Sequence, residues 1–235
     1  MVLAIFGRGV QQVRPRGSWE PTEDFETQIH NGTVPAHSAV RLPIDQENPL
    51  CLVGGGELNI LAGVELCRRF QPHVVVAAFG NRSKYLRDVP NSPSESEVMS
   101  DRFLREIRAG GIHEPEVVVW PRDRMADAPS NSRQEIINIL ELALEKRLFQ
   151  VGIVTVTVHV PRTALFVSKV REENPHLRGV EVRLFGSETA LVQANPIIWA
   201  PRVAAIYQSP AFPRTAAFEQ RGIELVLKGE YRTTG

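Results

Sequence analysis

Along the chain, short runs of β-branched and other apolar residues alternate with longer runs whose apolar positions recur at helical period. That is the pattern of βα units feeding a mostly parallel sheet. The short runs predict strands at Val2–Phe6, Leu50–Val53, Val74–Phe79, Glu116–Trp120, Val151–Thr157 and Val180–Phe185. Most are almost continuously apolar, as expected of strands covered by helices on both faces. The longer runs predict helices at Glu57–Phe70, Glu95–Ala109, Arg133–Leu148 and Pro161–Glu173. Ser94 with Glu97, and Ser132 with Glu135, both fit the capping box, in which a serine oxygen and a carboxylate satisfy the first backbone N–H groups of a helix. Pro161 stands where a first-turn proline is tolerated. The fold class predicted is α/β, a Rossmann-like three-layer fold with a mostly parallel open sheet and helices on both faces.

Two stretches break the alternation. Residues 14–49 are polar and carry Pro15, Pro21, Pro35 and Pro43, which predicts an irregular excursion, with a strand at Ala39–Ile44 pairing with Leu50–Val53 as a hairpin. The tail from Asn195 is rich in proline and aromatics and is expected to wrap the domain edge, with a short helix near Thr215–Arg221. A chain of 235 residues accommodates all of this in one domain, 1–235.

Charge narrows the function classes. Lys+Arg and Asp+Glu are both 27, so the broad basic footprint of a nucleic-acid-binding protein is missing and no nucleic-acid partner is expected. The opening apolar run stops at Gly7-Arg8-Gly9, far short of the roughly 20 residues of a membrane span. It also lacks a basic leader and a small-residue cleavage site, so cytoplasmic residence is the expectation. Cys51 and Cys67 have no partners at zinc spacing and read as buried thiols in a reducing compartment, and no metal site is predicted.

In an open α/β sheet, ligands bind outside the carboxyl ends of the strands, where helix N-termini aim their N–H groups. The candidate residues fall at those ends. Gly7 and Gly9 follow the first strand, Gly80 and Asn81 the third, Asn131 and Ser132 precede a helix, and His159 and Arg162 follow the Val151–Thr157 strand. The glycines would give a ligand close backbone approach, and Asn131, Ser132 and Asn81 would supply polar contacts. Arg162 would hold an anionic group, and His159, which titrates near neutrality, would move a proton. Glu95, one position past its cap serine, is the second candidate for proton transfer, weighed against a plain helix-dipole role. Ser132 reads as a cap and Asn131 as the more exposed binding group. Gly54-Gly55-Gly56 reads equally as a tight turn and as ligand contact, and Gly80 to Tyr85 as a solvated loop or an anion clamp. Neither glycine run completes a dinucleotide or Walker motif. The missing G-x-S-x-G elbow argues against a serine-triad hydrolase.

The run Val154-Thr155-Val156-Thr157-Val158-His159-Val160-Pro161-Arg162 resembles the VTs-x-x-H-x-x-R segment of the YdcF-like family. Ser94-Glu95-Ser96 is similar to that family's S-E-A segment, Asn131 to Glu135 to its N-T-x-E-N segment, Gly7-Arg8-Gly9 to its first glycine loop, and Phe79-Gly80 to its S-G-G loop. The order along the chain also agrees, from Val2 to Phe185. Ser stands at 132 where the family segment has Thr, Gln and Glu stand at 134 and 135, and Phe79 replaces a small residue. The resemblance implies a Rossmann-like fold. It also implies links to envelope and lipid-carrier metabolism in membrane-anchored members and to S-adenosylmethionine binding in soluble ones. Three readings stay open: an enzyme acting on an anionic, nucleotide-like or phosphorylated small molecule; a module that holds such a ligand, with S-adenosylmethionine as the candidate cofactor, without turnover; and a scaffold whose polar residues are mostly helix caps.

Overall fold

The computed structural model describes residues 1–12, 18–27, 45–78, 93–120 and 131–231. Nine strands and seven helices are assigned within them. Five strands form one sheet, all parallel, in the order β7 (Glu116–Val118), β6 (Val74–Ala77), β1 (Val2–Ile5), β8 (Gln150–Thr155) and β9 (Glu181–Gly186). The chain moves outward from β1 through β6 to β7, then returns to β1's other side with β8 and β9. The switch point therefore lies between β1 and β8, the place where open α/β sheets bind ligands beyond the strand ends.

The layers follow from the two-residue period of a strand. Leu3 and Ile5 of β1 pack into one core with α1 (Gly56–Phe70), α2 (Glu95–Ala109) and α5 (Ser187–Ala194). Val2, Ala4 and Phe6 pack into the other with α3 (Ser132–Glu145), α4 (Val160–Glu173) and Val226 of α7 (Ala211–Leu227). All of β1 and β6 is buried, so the α/β three-layer expectation holds. The predicted strands and helices of these βα units are all present, with ends shifted by a few residues. The Val151–Thr157 run ends its strand at Thr155, and Thr157–His159 forms a 3-10 turn that delivers His159 directly onto α4. Cys51 and Cys67 are buried free thiols, and burial pushes Cys67 up to about 12.

Three expectations change. β5 (Cys51–Val53) pairs antiparallel with β4 (Phe25–Thr27), so its partner comes from inside the segment read as irregular, while Ala39–Ile44 lies outside the described residues. That segment also holds β3 (Trp19–Pro21), antiparallel to β2 (Val10–Gln12). The described part of the tail is mostly helical: α6 (Pro196–Gln208) and α7 follow α5, and the short helix expected near Thr215–Arg221 is the middle of the 17-residue α7. Finally, Gly54, Gly55 and Gly56 make a turn whose N–H groups go to Asp24 O, Glu23 O and Thr22 Oγ1, which favours the turn reading. No helix among the described residues is long and apolar enough to cross a membrane.

Candidate functional site

The loop after β1, the turn after β8, the start of α3 and the middle of α7 meet at the switch point. His159 stands at the centre, 3% exposed, with its ring tilted against Phe6. Its Nδ1 lies 2.8 Å from Glu219 Oε2, and its Nε2 lies 3.4 Å from Ser132 Oγ. Glu219 projects from α7 and is itself 1% exposed. Two guanidiniums share its carboxylate: Arg162 Nε at 2.9 Å from Oε2 and Nη2 at 3.2 Å from Oε1, and Arg8 Nη1 at 3.3 Å from Oε1. Arg8 also donates to Gly54 O and Val53 O, both at 3.2 Å, so it ties the first loop to β5 and to the glycine turn.

Protonation follows from these contacts. Burial alone would raise Glu219, but the His159 ring and the Arg8 and Arg162 guanidiniums outweigh it and hold the carboxyl down to about 2. Glu219 is therefore an acceptor only, and His159 Nδ1 must carry its proton toward it. Although Arg162 Nε and Nη2 lie 3.3 and 3.1 Å from Nδ1, a protonated Nδ1 accepts nothing, so these donors belong to the carboxylate. This network assigns the bare lone pair to Nε2, facing Ser132. Burial pushes the His159 imidazole below its ordinary value, Glu219 opposes that, and Arg162 and Arg8 add to it. The ring is a neutral base at neutral pH.

The start of α3 reverses the sequence expectation. Asn131, not Ser132, is the N-cap: its Oδ1 accepts from Gln134 N at 3.0 Å and its backbone O from Glu135 N. The S-x-x-E pattern misplaced the helix start by one residue, because asparagine caps at least as well as serine. Ser132 is the first helical residue, partly exposed, with its hydroxyl turned to His159. The capping box at Ser94 and Glu97, by contrast, is present with both bonds.

Glu95 lies on the other side of the first loop. Its Oε1 accepts from Gly9 N at 2.5 Å, and a Cβ added to Gly7 would sit 2.3 Å from the same oxygen. The Glu95 carboxylate thus closes over Gly7, and Gly9 adopts φ +93° beside it. Burial pushes the Glu95 carboxyl up, against the Gly9 N–H and the Arg8 charge. No hydrogen bond joins Glu95 to His159 among the described residues; they are linked through Gly9 and Arg8.

The structure therefore brings together His159, Arg162, Ser132 and, behind them, Gly7, Gly9 and Glu95, with Asn131 as the cap beside Ser132. Arg162 is 7% exposed, spent on Glu219 and lying against Gly222 and Phe218, so it orients the carboxylate. Gly80 and Asn81 lie outside the described residues. Sequence reasoning missed Arg8 and Glu219. Arg8 was hidden between two glycines that drew the attention. Glu219 had a signal: it falls in one helical stripe with Ala211, Thr215, Gly222 and Val226, all buried, and a carboxylate inside such a stripe needs partners. No protein-family profile, curated protein or solved structure matches the chain.

Proposed function

We propose that this chain is an enzyme that binds a small anionic molecule, phosphorylated or nucleotide-like, in the crevice above β1 and β8, and that His159 moves a proton on it. The observation that carries this reading is the placement of His159, its Nδ1 beside Glu219 and its Nε2 directed to Ser132 at the switch point. Charge supports the anionic ligand. Two guanidiniums, Arg8 and Arg162, face the one Glu219 carboxylate beside the His159 ring. The segments that resemble the YdcF-like family supply His159, Ser132, Glu95 and the glycine loop, which adds S-adenosylmethionine to the ligands worth testing.

The test is a thermal-shift screen against nucleotides, sugar nucleotides, phosphorylated lipid-carrier fragments and S-adenosylmethionine, followed by product analysis with any compound that binds. Ligand at a hundred times its Kd adds about 2.7 kcal/mol, or roughly 5–10 °C for a domain of this size. His159→Gln is expected to keep the shift and lower turnover by about 10²-fold or more. Binding without turnover in the native chain identifies a holding module instead, and no shift with any anionic compound overturns the anionic reading.

A further inference from the structure

We propose that Ser132 is a nucleophile and that this site transfers an acyl group from an anionic ester or thioester through a covalent seryl intermediate. The proposal rests on the reading of His159 as a proton-moving base and adds to it the atom that attacks. Its ground is the line Ser132 Oγ, His159 Nε2, His159 Nδ1 and Glu219 Oε2, with steps of 3.4 Å and 2.8 Å on either side of the ring. A hydroxyl, a base and a group that orients the base are the parts nucleophilic catalysis needs. The residues come from three different helices or helix ends, in the order Ser, His, Glu along the chain, without an elbow motif. Such a constellation is recognised by geometry and not by sequence position.

Two further features belong to the same atom. Serine at a helix start ordinarily caps the helix, but Asn131 does that here, which leaves the Ser132 hydroxyl to His159. Ser132 is also partly exposed while His159 and Glu219 are buried, so a substrate reaches the hydroxyl and not the hydrogen-bonded pair beneath it. At the start of α3, Gln134 N and Glu135 N are bonded to Asn131, whereas the N–H groups of Ser132 and Arg133 precede the first acceptor within the helix. In the proposed step they hold the developing oxyanion. Acyl transfer develops one such charge. Phosphoryl transfer spreads charge over three oxygens and calls for cations aimed at them, and Arg8 and Arg162 are turned onto Glu219.

The step balances within the site. A lone pair of Ser132 Oγ forms a bond to the carbonyl carbon, the C=O π pair moves to oxygen, and the Oγ proton passes to His159 Nε2. The oxyanion collapses, the bond to the leaving oxygen or sulfur breaks, and the leaving group takes the proton from Nε2. Water then repeats the sequence on the seryl ester, releasing the carboxylic acid and restoring Ser132.

The probe is a fluorophosphonate, which an activated serine attacks with loss of fluoride. Incubation of the full chain, followed by peptide mass spectrometry, is expected to find one adduct, on Ser132. Labelling is expected to vanish in Ser132→Ala and to slow about 10²-fold or more in His159→Gln. A p-nitrophenyl ester is expected to give a burst of one p-nitrophenolate per chain. Because Ser132 is not the cap, Ser132→Ala should melt within a few degrees of the native chain, which separates loss of chemistry from loss of fold. No adduct on Ser132, or equal labelling in His159→Gln, overturns the proposal. If that happens while anionic compounds still bind and are turned over equally in Ser132→Ala, the nucleophile fails and the wider reading stands. If Ser132 is labelled but no anionic compound binds, the seryl chemistry stands and the anionic substrate class fails.

Discussion

At the scale of single residues, the candidate site is an exchange of burial for contacts. Glu95 is half-buried with its carboxylate turned onto the first loop, and what it receives is the Gly9 N–H and the space left by the missing Gly7 side chain. Gly7→Ala is therefore expected to cost about 1–3 kcal/mol by overpacking. The three nearest atoms its Cβ would meet are all Glu95's, so the cost should shrink by more than about 0.5 kcal/mol when measured in a Glu95→Ala background. Additive costs in urea unfolding would place the obstruction elsewhere. The same burial gives Glu95 a pH signature. Its folded pKa is raised from 4.5, so the stability it contributes is complete below that value and is lost as pH rises through the folded value. Glu95→Gln keeps an acceptor for Gly9 N–H and has nothing to ionise. Its stability relative to the native chain should improve as pH goes from about 5 to about 8, and a difference that does not change with pH would show that Glu95 is not held up by burial.

At the scale of elements, α7 and the start of α3 decide how the site works, and these are the places the sequence was hardest to read. The strand-end positions of Gly7, Asn131, Ser132, His159 and Arg162 were legible because βα alternation fixes which loops share one edge of the sheet. The role of α7 was not, since nothing in a proline-rich tail announces that residue 219 returns to the loop after β1, and the contact joins positions 211 apart. The choice between Asn131 and Ser132 turned on a single residue of helix phase, finer than capping preference resolves. Both errors have measurable counterparts. Asn131→Ala should cost about 1 kcal/mol, while Ser132→Ala should stay within about 0.5 kcal/mol, the reverse of what a serine cap requires. Glu219→Ala strips the carboxylate from two largely buried guanidiniums and should cost about 3–5 kcal/mol, read as a loss of roughly 6–20 °C in Tm. A loss no larger than that of an exposed glutamate on α7 would mean the arginines find water or other acceptors without it.

For the molecule as a whole, the sheet was legible and its margins were not, for one physical reason. Parallel strands buried on both faces write their burial into continuous apolar runs, whereas Phe25–Thr27 and Trp19–Pro21 are three-residue strands with charged or polar members and too short for any period. The helical tail was obscured by Pro196, Pro201 and Pro213, which lie inside or at the start of helices instead of between them. Once α7 closes over the switch point, the fold holds a set of coupled charges whose titration is a property of the native state. Glu219, folded at about 2 against an ordinary 4.5, contributes stability that is present above 4.5 and lost as pH falls toward 2, on the order of 3 kcal/mol. His159 is shifted in the same sense: its folded pKa lies below 6.5, so the unfolded chain takes up a proton first and stability starts to fall as pH drops below 6.5. Acid should therefore weaken the native chain in two stages, an early one from the histidine and a later one from the glutamate. His159→Gln removes the first and moves the second to higher pH, because the ring is one of the groups that hold Glu219 down, and equilibrium unfolding at a series of pH values resolves the two. If the early stage survives in His159→Gln, another group is the source of it, and the buried neutral imidazole on which the proton-transfer reading depends would have to be given up.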